Sequence, residues 1–134
     1  MLYIRIHKDK TTKVTMLCIR NKFSRMKMIP LPQLELMATL IGVGLLRYVC
    51  SNTSFDRYVS ILESDSTVVL NWIPGDPNQR KTFVCNRTTK ILNYTTPLQW
   101  QHCSGSQNQA DCISQSISPI DLYSLDIWWN GPVW

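Results

Sequence analysis

The feature that most constrains this 134-residue chain is an apolar stripe at helical spacing. Leu34, Met37, Ala38, Ile41, Leu45 and Val49 recur every three or four residues, the period that aligns one buried face of an α-helix. Such a helix has one side that must be covered, so neighbouring segments must supply a sheet or further helices. Pro32 stands where a helix accepts proline in its first turn. Gly42 and Gly44 lie within the stripe, and each weakens a helix by about 1 kcal/mol relative to alanine, which predicts close packing against a sheet. The run Leu34–Leu46 is interrupted by Glu35 and is too short to span a bilayer.

The flanking patterns supply the covering layers. Leu2–His7 alternates apolar and basic residues, Lys8–Lys13 makes a polar turn, and Val14–Phe23 resumes with Val14, Met16 and Cys18 facing one way. That pattern predicts a β-hairpin over Leu2–Phe23. After a break at Ser51–Asp56, Tyr58–Glu63 reads as a strand, Ser64-Asp65-Ser66 as a turn with capping residues, and Thr67–Ile73 as a short helix. Pro74-Gly75-Asp76-Pro77 stops it, and Lys81–Leu92 fits a second helix buried through Phe83, Val84, Arg87 and Ile91. Pro97 opens a new element, followed by a short strand at Trp100–Ser104, a polar loop at Gly105–Gln109 and a last helix at Ala110–Ser116. The tail from Ser118 to Trp134 is aromatic and less regular. Hairpin, helix, strand, helices, strand, helix is a mixed α/β order, with an antiparallel pair first and crossovers later. The length suits one domain with a real core.

The net charge of +5 is unevenly spread. Arg5, Lys8, Lys10, Lys13, Arg20, Lys22, Arg25 and Lys27 crowd the first thirty residues against one acid, Asp9. Such a face attracts phosphates, or its lysines discourage edge pairing of a solvated hairpin. Cys18, Cys50, Cys85, Cys103 and Cys112 are odd in number and lack the short spacing of a zinc site, which points to reduced, mostly buried thiols. Three glycosylation sequons, at Asn52, Asn86 and Asn93, argue the other way, but no signal peptide precedes them. The expectation is an intracellular, cytoplasmic domain with no signal peptide, no transmembrane segment and no membrane partner.

Three acids occupy comparable local positions: Glu35 in a first helical turn, Asp65 after a strand, and Asp111 where a helix begins. Carboxylates from separate elements that meet in space hold divalent cations, and two magnesium ions roughly 4 Å apart are suited to phosphodiester cleavage. Each acid also has an ordinary explanation: Glu35 complements a helix dipole, and Asp65 and Asp111 cap helices. His102, in the strand before the polar loop, is expected to pack or hydrogen-bond rather than catalyse. Ser104-Gly105-Ser106 lacks the strand–turn–helix setting of a nucleophile elbow, and Asp65-Ser66-Thr67 lacks the glycine of an aspartic protease motif. Trp128, Trp129 and Trp134 either stack on bases or cover the core, as buried tryptophans usually do.

Several of these stretches occur in the order of a known family. Pro32-Gln33-Leu34-Glu35-Leu36, Ser64-Asp65-Ser66-Thr67-Val68-Val69-Leu70-Asn71-Trp72-Ile73, Lys81-Thr82-Phe83-Val84 with Asn86-Arg87, Trp100-Gln101-His102 with Gly105, and Asn108-Gln109-Ala110-Asp111 are successive. With the closing Asp126-Ile127-Trp128-Trp129-Asn130-Gly131-Pro132-Val133-Trp134, the chain resembles the ribonuclease H-like domain of BEL/Pao-type retrotransposon polyproteins. The resemblance implies an α/β fold, a ribonuclease H-like mixed sheet with flanking helices. It also implies hydrolysis of RNA in RNA–DNA hybrids with Mg2+, held by Glu35, Asp65, Asp111 and a fourth acid on the first strand. Met1 falls at what resembles the second strand, so the first, central strand and its aspartate are expected to be absent and the chain inactive. Gln109 where the family has proline, and Ser114-Gln115-Ser116 where it has Ser-Arg-Gly, point the same way.

The resemblance thus divides the chain into a partial ribonuclease H-like domain at 1–117 and a Trp-rich tail at 118–134 toward an integrase region. Its implied partners are an RNA–DNA hybrid or other nucleic acid, contacted by Lys8, Lys10, Lys13, Arg20 and Lys22, and the reverse transcriptase and integrase regions of one polyprotein. The rival expectations are a non-catalytic nucleic-acid binder and a purely structural remnant.

Overall fold

A computed structural model describes residues 1–22, 28–114 and 117–131. The chain is mixed α/β and divides into two compact units, Met1–Asn21 with Ser104–Trp134, and Lys22–Cys103. Its described strands form two separate pairs rather than one sheet.

The first unit is built on the hairpin β1 (Leu2–Lys8) and β2 (Thr11–Cys18), paired antiparallel from Leu2–Cys18 to Lys8–Thr11. Asp9 opens the two-residue turn at φ 55, the left-handed region that aspartate tolerates better than most residues. Val14, Met16 and Cys18 are half-buried while Thr15 and Leu17 are exposed, so the alternation read from the sequence is the one formed. The second strand is shorter than expected, and Phe23, Arg25 and Lys27 lie outside the described residues. The tail is more regular than its composition suggests. Ser118 caps α5 (Pro119–Ser124) by accepting from the Asp121 N–H at 3.2 Å, and α6 (Asp126–Asn130) packs on β2. Trp128 is buried, and its carbonyl accepts from the Tyr3 hydroxyl at 2.9 Å. Trp129 is exposed, and Trp134 is outside the described residues.

The second unit is organised by α1 (Leu31–Asn52), with β3 (Leu62–Ser64), α2 (Thr67–Trp72), α3 (Thr82–Leu92) and β4 (Trp100–His102). β3 and β4 pair in parallel, Leu62 opposite Trp100 through Ser64 opposite His102. The stretch expected as a strand from Tyr58 is instead a one-turn 3-10 helix at Arg57–Val59, because Asp56 Oδ1 accepts from the Tyr58 N–H at 2.9 Å.

The buried face of α1 differs from the stripe read in the sequence. Leu36, Val43, Leu45, Leu46 and Val49 are buried, whereas Leu34, Met37 and Ile41 are half-buried and Ala38 is exposed. Apolar residues occur nearly all round this helix, so packing on α2 and α3, not periodicity, selects the face. The core joins Leu36 and Val43 to Val69, Ile73, Val84 and Ile91. In α3, Thr88 rather than Arg87 completes the buried side, its hydroxyl donating to the Val84 carbonyl at 2.8 Å. Arg87 lies over the Phe83 ring, 3.4 Å from its centroid.

Two further expectations change. A Cβ at Gly42 or Gly44 would meet nothing within 4 Å, so these glycines do not mark a close approach. The apolar run is also longer than Leu34–Leu46: the 22-residue helix contains an 18-residue window of mean hydropathy 1.5, long and apolar enough to cross a membrane. In this fold its buried residues sit in the unit's core.

Two measurements follow from these contacts. Gly44→Ala should stabilise the protein by about 0.5–1 kcal/mol in denaturant unfolding, since a methyl group there lowers chain entropy without a clash. Burial, and next the charge of Cys112, push the Tyr3 phenol up to about 12. The folded state therefore favours the neutral phenol. Its contribution is complete below the ordinary value of 10 and declines as pH rises from there through about 12. Unfolding midpoints measured across that window should fall more steeply for the wild type than for Tyr3→Phe.

Candidate functional site

The C-terminal end of β3 gathers most of the chemistry anticipated from the sequence. In open parallel arrangements, residues just past the strand ends face the space where ligands bind. Here the strand ends at Ser64, Asp65 follows, and Ser66 starts α2. β4 ends beside it, where the Cys103 N–H donates to the Ser64 carbonyl at 3.1 Å.

Ser66 is the joint. Its hydroxyl oxygen accepts from the Val69 N–H at 3.2 Å, capping α2, and the same hydroxyl donates to Glu35 Oε2 at 2.5 Å. A hydroxyl has one proton and two acceptor lone pairs, so it serves both partners at once. Ser66 is buried and Glu35 is half-buried, which makes this a charge-assisted bond in a partly dry setting. Glu35 therefore sits one residue away from Asp65 in space although thirty residues separate them in the chain.

The ordinary explanations of these acids fare unequally. α1 starts at Leu31, which leaves Glu35 in the second turn and no acid in the first, so the helix-dipole explanation does not hold. Ser66 is the N-cap of α2, so Asp65 is not needed as one. The Asp65 carboxylate is half-buried and meets no hydrogen-bond or ion-pair partner among the described residues. Asp111 belongs to the other unit, where it opens α4 (Asp111–Ser114), and its Oδ1 accepts from Asn108 Nδ2 at 3.4 Å. Asp111 is thus the first helical residue rather than the expected cap, an acid in the first turn at the positive end of the helix dipole.

The oxygen donors at Glu35 and Asp65 suit a hard divalent cation such as magnesium. Among the described residues no group of three or more His, Cys, Asp or Glu side chains is placed to hold a metal ion. His102 ends β4 in register with Ser64 and is exposed, without a hydrogen-bond partner among the described residues. It neither packs nor bonds as expected. Cys103 is buried, the other four cysteines are half-buried, and all five are free thiols.

The basic residues sit on the first unit. Lys8, Lys10, Lys13, Arg20 and Lys22 are all exposed, with Lys22 at the first residue of the second unit. Register places Lys8 beside Thr11 and Lys13 beside Ile6, on one face of the hairpin, with Lys10 in its turn. Arg5 and His7 project from the opposite face, His7 sharing a 2.9 Å hydrogen bond with Thr12. The distal tip is thus ringed with cations rather than charged on one side.

Comparison with known proteins bears on this arrangement. Residues 1–66 match the family model of the Pao retrotransposon-like RNaseH-like domain. Over that stretch the chain is similar to this family. No curated protein and no solved structure matches the chain. The matched segment contains the basic hairpin, α1, β3, Glu35, Asp65 and Ser66, and it stops before Asp111. An RNaseH-like domain implies dealings with nucleic acid in general. Sequence reasoning had named Ser64-Asp65-Ser66 as a capping turn, but no local signal could show that Ser66 also reaches Glu35.

Ser66→Ala removes a helix cap and the donor to a half-buried carboxylate together. Unfolding in denaturant should register a loss of about 1–3 kcal/mol, whereas Ser66→Thr should recover most of it.

Proposed function

We propose that this chain is a retroelement ribonuclease H-like segment, ancestrally built to hydrolyse the RNA of RNA–DNA hybrids with two magnesium ions, and inactive in cleavage as residues 1–134. The observation that carries the reading is the Glu35–Ser66 contact beside Asp65 at the end of β3, inside the family-matched stretch. Glu35 and Asp65 are the ligands that share one unit in this reading, and Asp111 is the third that the family resemblance implies. When bound, magnesium supplies charge neutralisation at the attacked phosphate and a more acidic water. Ser66 orients Glu35, and the unpartnered Asp65 carboxylate is open to a cation. Among the described residues no third His, Cys, Asp or Glu side chain joins Glu35 and Asp65 to hold a metal ion, which is the reason to expect no efficient turnover.

A second reading, a non-catalytic nucleic-acid binder or structural remnant of a polyprotein, is favoured by the exposed cations of the hairpin tip. Lys8, Lys10, Lys13, Arg20 and Lys22 would contact phosphates without reading bases, because lysine and arginine release counterions from any sequence alike. In either reading the chain works inside a cell beside reverse transcriptase and integrase regions of the same polyprotein.

One experiment with two readouts tests this. Purified residues 1–134 are incubated with a labelled RNA–DNA hybrid and magnesium. No magnesium-dependent cutting is expected, while binding should weaken as salt rises. Replacing Lys8, Lys10 and Lys13 by glutamine should flatten the slope of log affinity against log salt by roughly 2–3. Robust cleavage abolished by Asp65→Asn would overturn inactivity, and an unchanged salt slope would remove the hairpin from the interface.

A further inference from the structure

A groove of about 370 Å3 opens in the Lys22–Cys103 unit between the segment entering α1, the end of α2 and the start of α3. Pro30, Pro32 and Trp72 give it apolar walls over buried Val84, and Arg80 and Lys81 stand exposed along it. Neither cationic side chain has a hydrogen-bond or ion-pair partner among the described residues. No acid lines the groove. Asp76, the acid nearest in sequence to Arg80 and Lys81, is engaged in its own turn, where Oδ1 accepts from the Asn78 N–H at 2.9 Å and from Asn78 Nδ2 at 3.1 Å. Gly75 leaves room for the arginine: a Cβ there would come within 3.0 Å of Arg80 Nη2.

We infer that this groove docks a single strand of nucleic acid, with a base against Trp72 and its phosphate between Arg80 and Lys81. Charge complementarity selects the occupant. Two unpaired cations with no acid beside them call for an anion, and a half-buried tryptophan between prolines calls for a flat apolar ring. A nucleotide strand repeats that pair of features, whereas an acidic peptide offers the anion without the ring. The volume falls at the small end of ligand sites, roughly 300–1,000 Å3, which fits one nucleotide rather than a duplex. The inference rests on the reading that this chain handles nucleic acid, but it assigns a surface separate from the hairpin residues.

The full chain is titrated with a labelled single-stranded oligothymidylate, its abasic counterpart with equal phosphates, and polyglutamate as competitor. Arg80→Gln combined with Lys81→Gln should weaken oligothymidylate binding about tenfold, as expected for two lost phosphate contacts. Trp72→Leu should weaken it about tenfold and leave the abasic strand unaffected. Trp72 also packs against the core, so the exposed cation pair carries the test if that variant misfolds. Wild-type affinity in the cation variant, or polyglutamate competing charge for charge, overturns the groove. Parallel titration of the Lys8, Lys10 and Lys13 glutamine variant separates the readings. Loss there with the groove variants unchanged overturns the groove alone. Absence of binding by the wild type overturns both.

Discussion

The hydroxyl of Ser66 holds together the parts of the second unit that matter for chemistry. It accepts the Val69 N–H in the first turn of α2 and donates to the carboxylate of Glu35 on α1. A helix end that lacks a cap leaves backbone donors without partners, and a half-buried carboxylate without a donor is costly to keep charged. One oxygen meets both needs. Its partners lie next to the core: Leu36 follows Glu35, Val69 receives the cap, and both are fully buried. The site and the core are therefore fixed by the same crossing of α1 with the strand–helix turn. Movement of Glu35 would have to disturb Leu36.

What the sequence made legible, and what it did not, divides along physical lines. Features set by neighbouring residues came through. The hairpin alternation at Val14 and Met16, proline at the start of α1, and the capping turn after β3 all depend on local stereochemistry. Features set by tertiary contact did not. α1 is apolar on several sides, so its true buried line through Leu36, Val43 and Leu46 emerges only against α2 and α3. The tail is more regular than its aromatic composition suggests, because Ser118-Pro119 followed by Asp121 is a helix-start signal.

The acids illustrate the same division. Asp65 was a capping candidate because Ser64-Asp65-Ser66 offers three capping side chains in a row, and only the structure shows which one takes the role. With Ser66 in that place, Asp65 is left with no local duty. Glu35 has no helix-dipole role because α1 begins at Leu31, which puts Glu35 in the second turn. Asp111 is the first helical residue of α4 rather than its cap. Residues 1–66 match the Pao retrotransposon-like RNaseH-like family model, and the contact between Glu35 and Ser66 falls within that stretch.

Charge within the second unit has a spatial order set by one short helix. α2 begins at the acidic corner, beside Asp65 and Glu35, and ends at Trp72 on the groove with Arg80 and Lys81. Its six residues span roughly 9 Å at the usual rise per residue. That length is close to the screening distance of about 8 Å in physiological salt. Cations at one end therefore soften, without abolishing, the repulsion that bare carboxylates exert on a phosphate. In a base-stacked strand phosphates advance about 3.4 Å each, so α2 corresponds to two or three stacked nucleotides. A phosphate held at Arg80 and Lys81 would place its neighbours near the acids only if a metal ion or proton neutralised them first. The same geometry thus favours binding at the groove end and makes approach to the acidic end conditional on a cation, an order dictated by electrostatics rather than by shape.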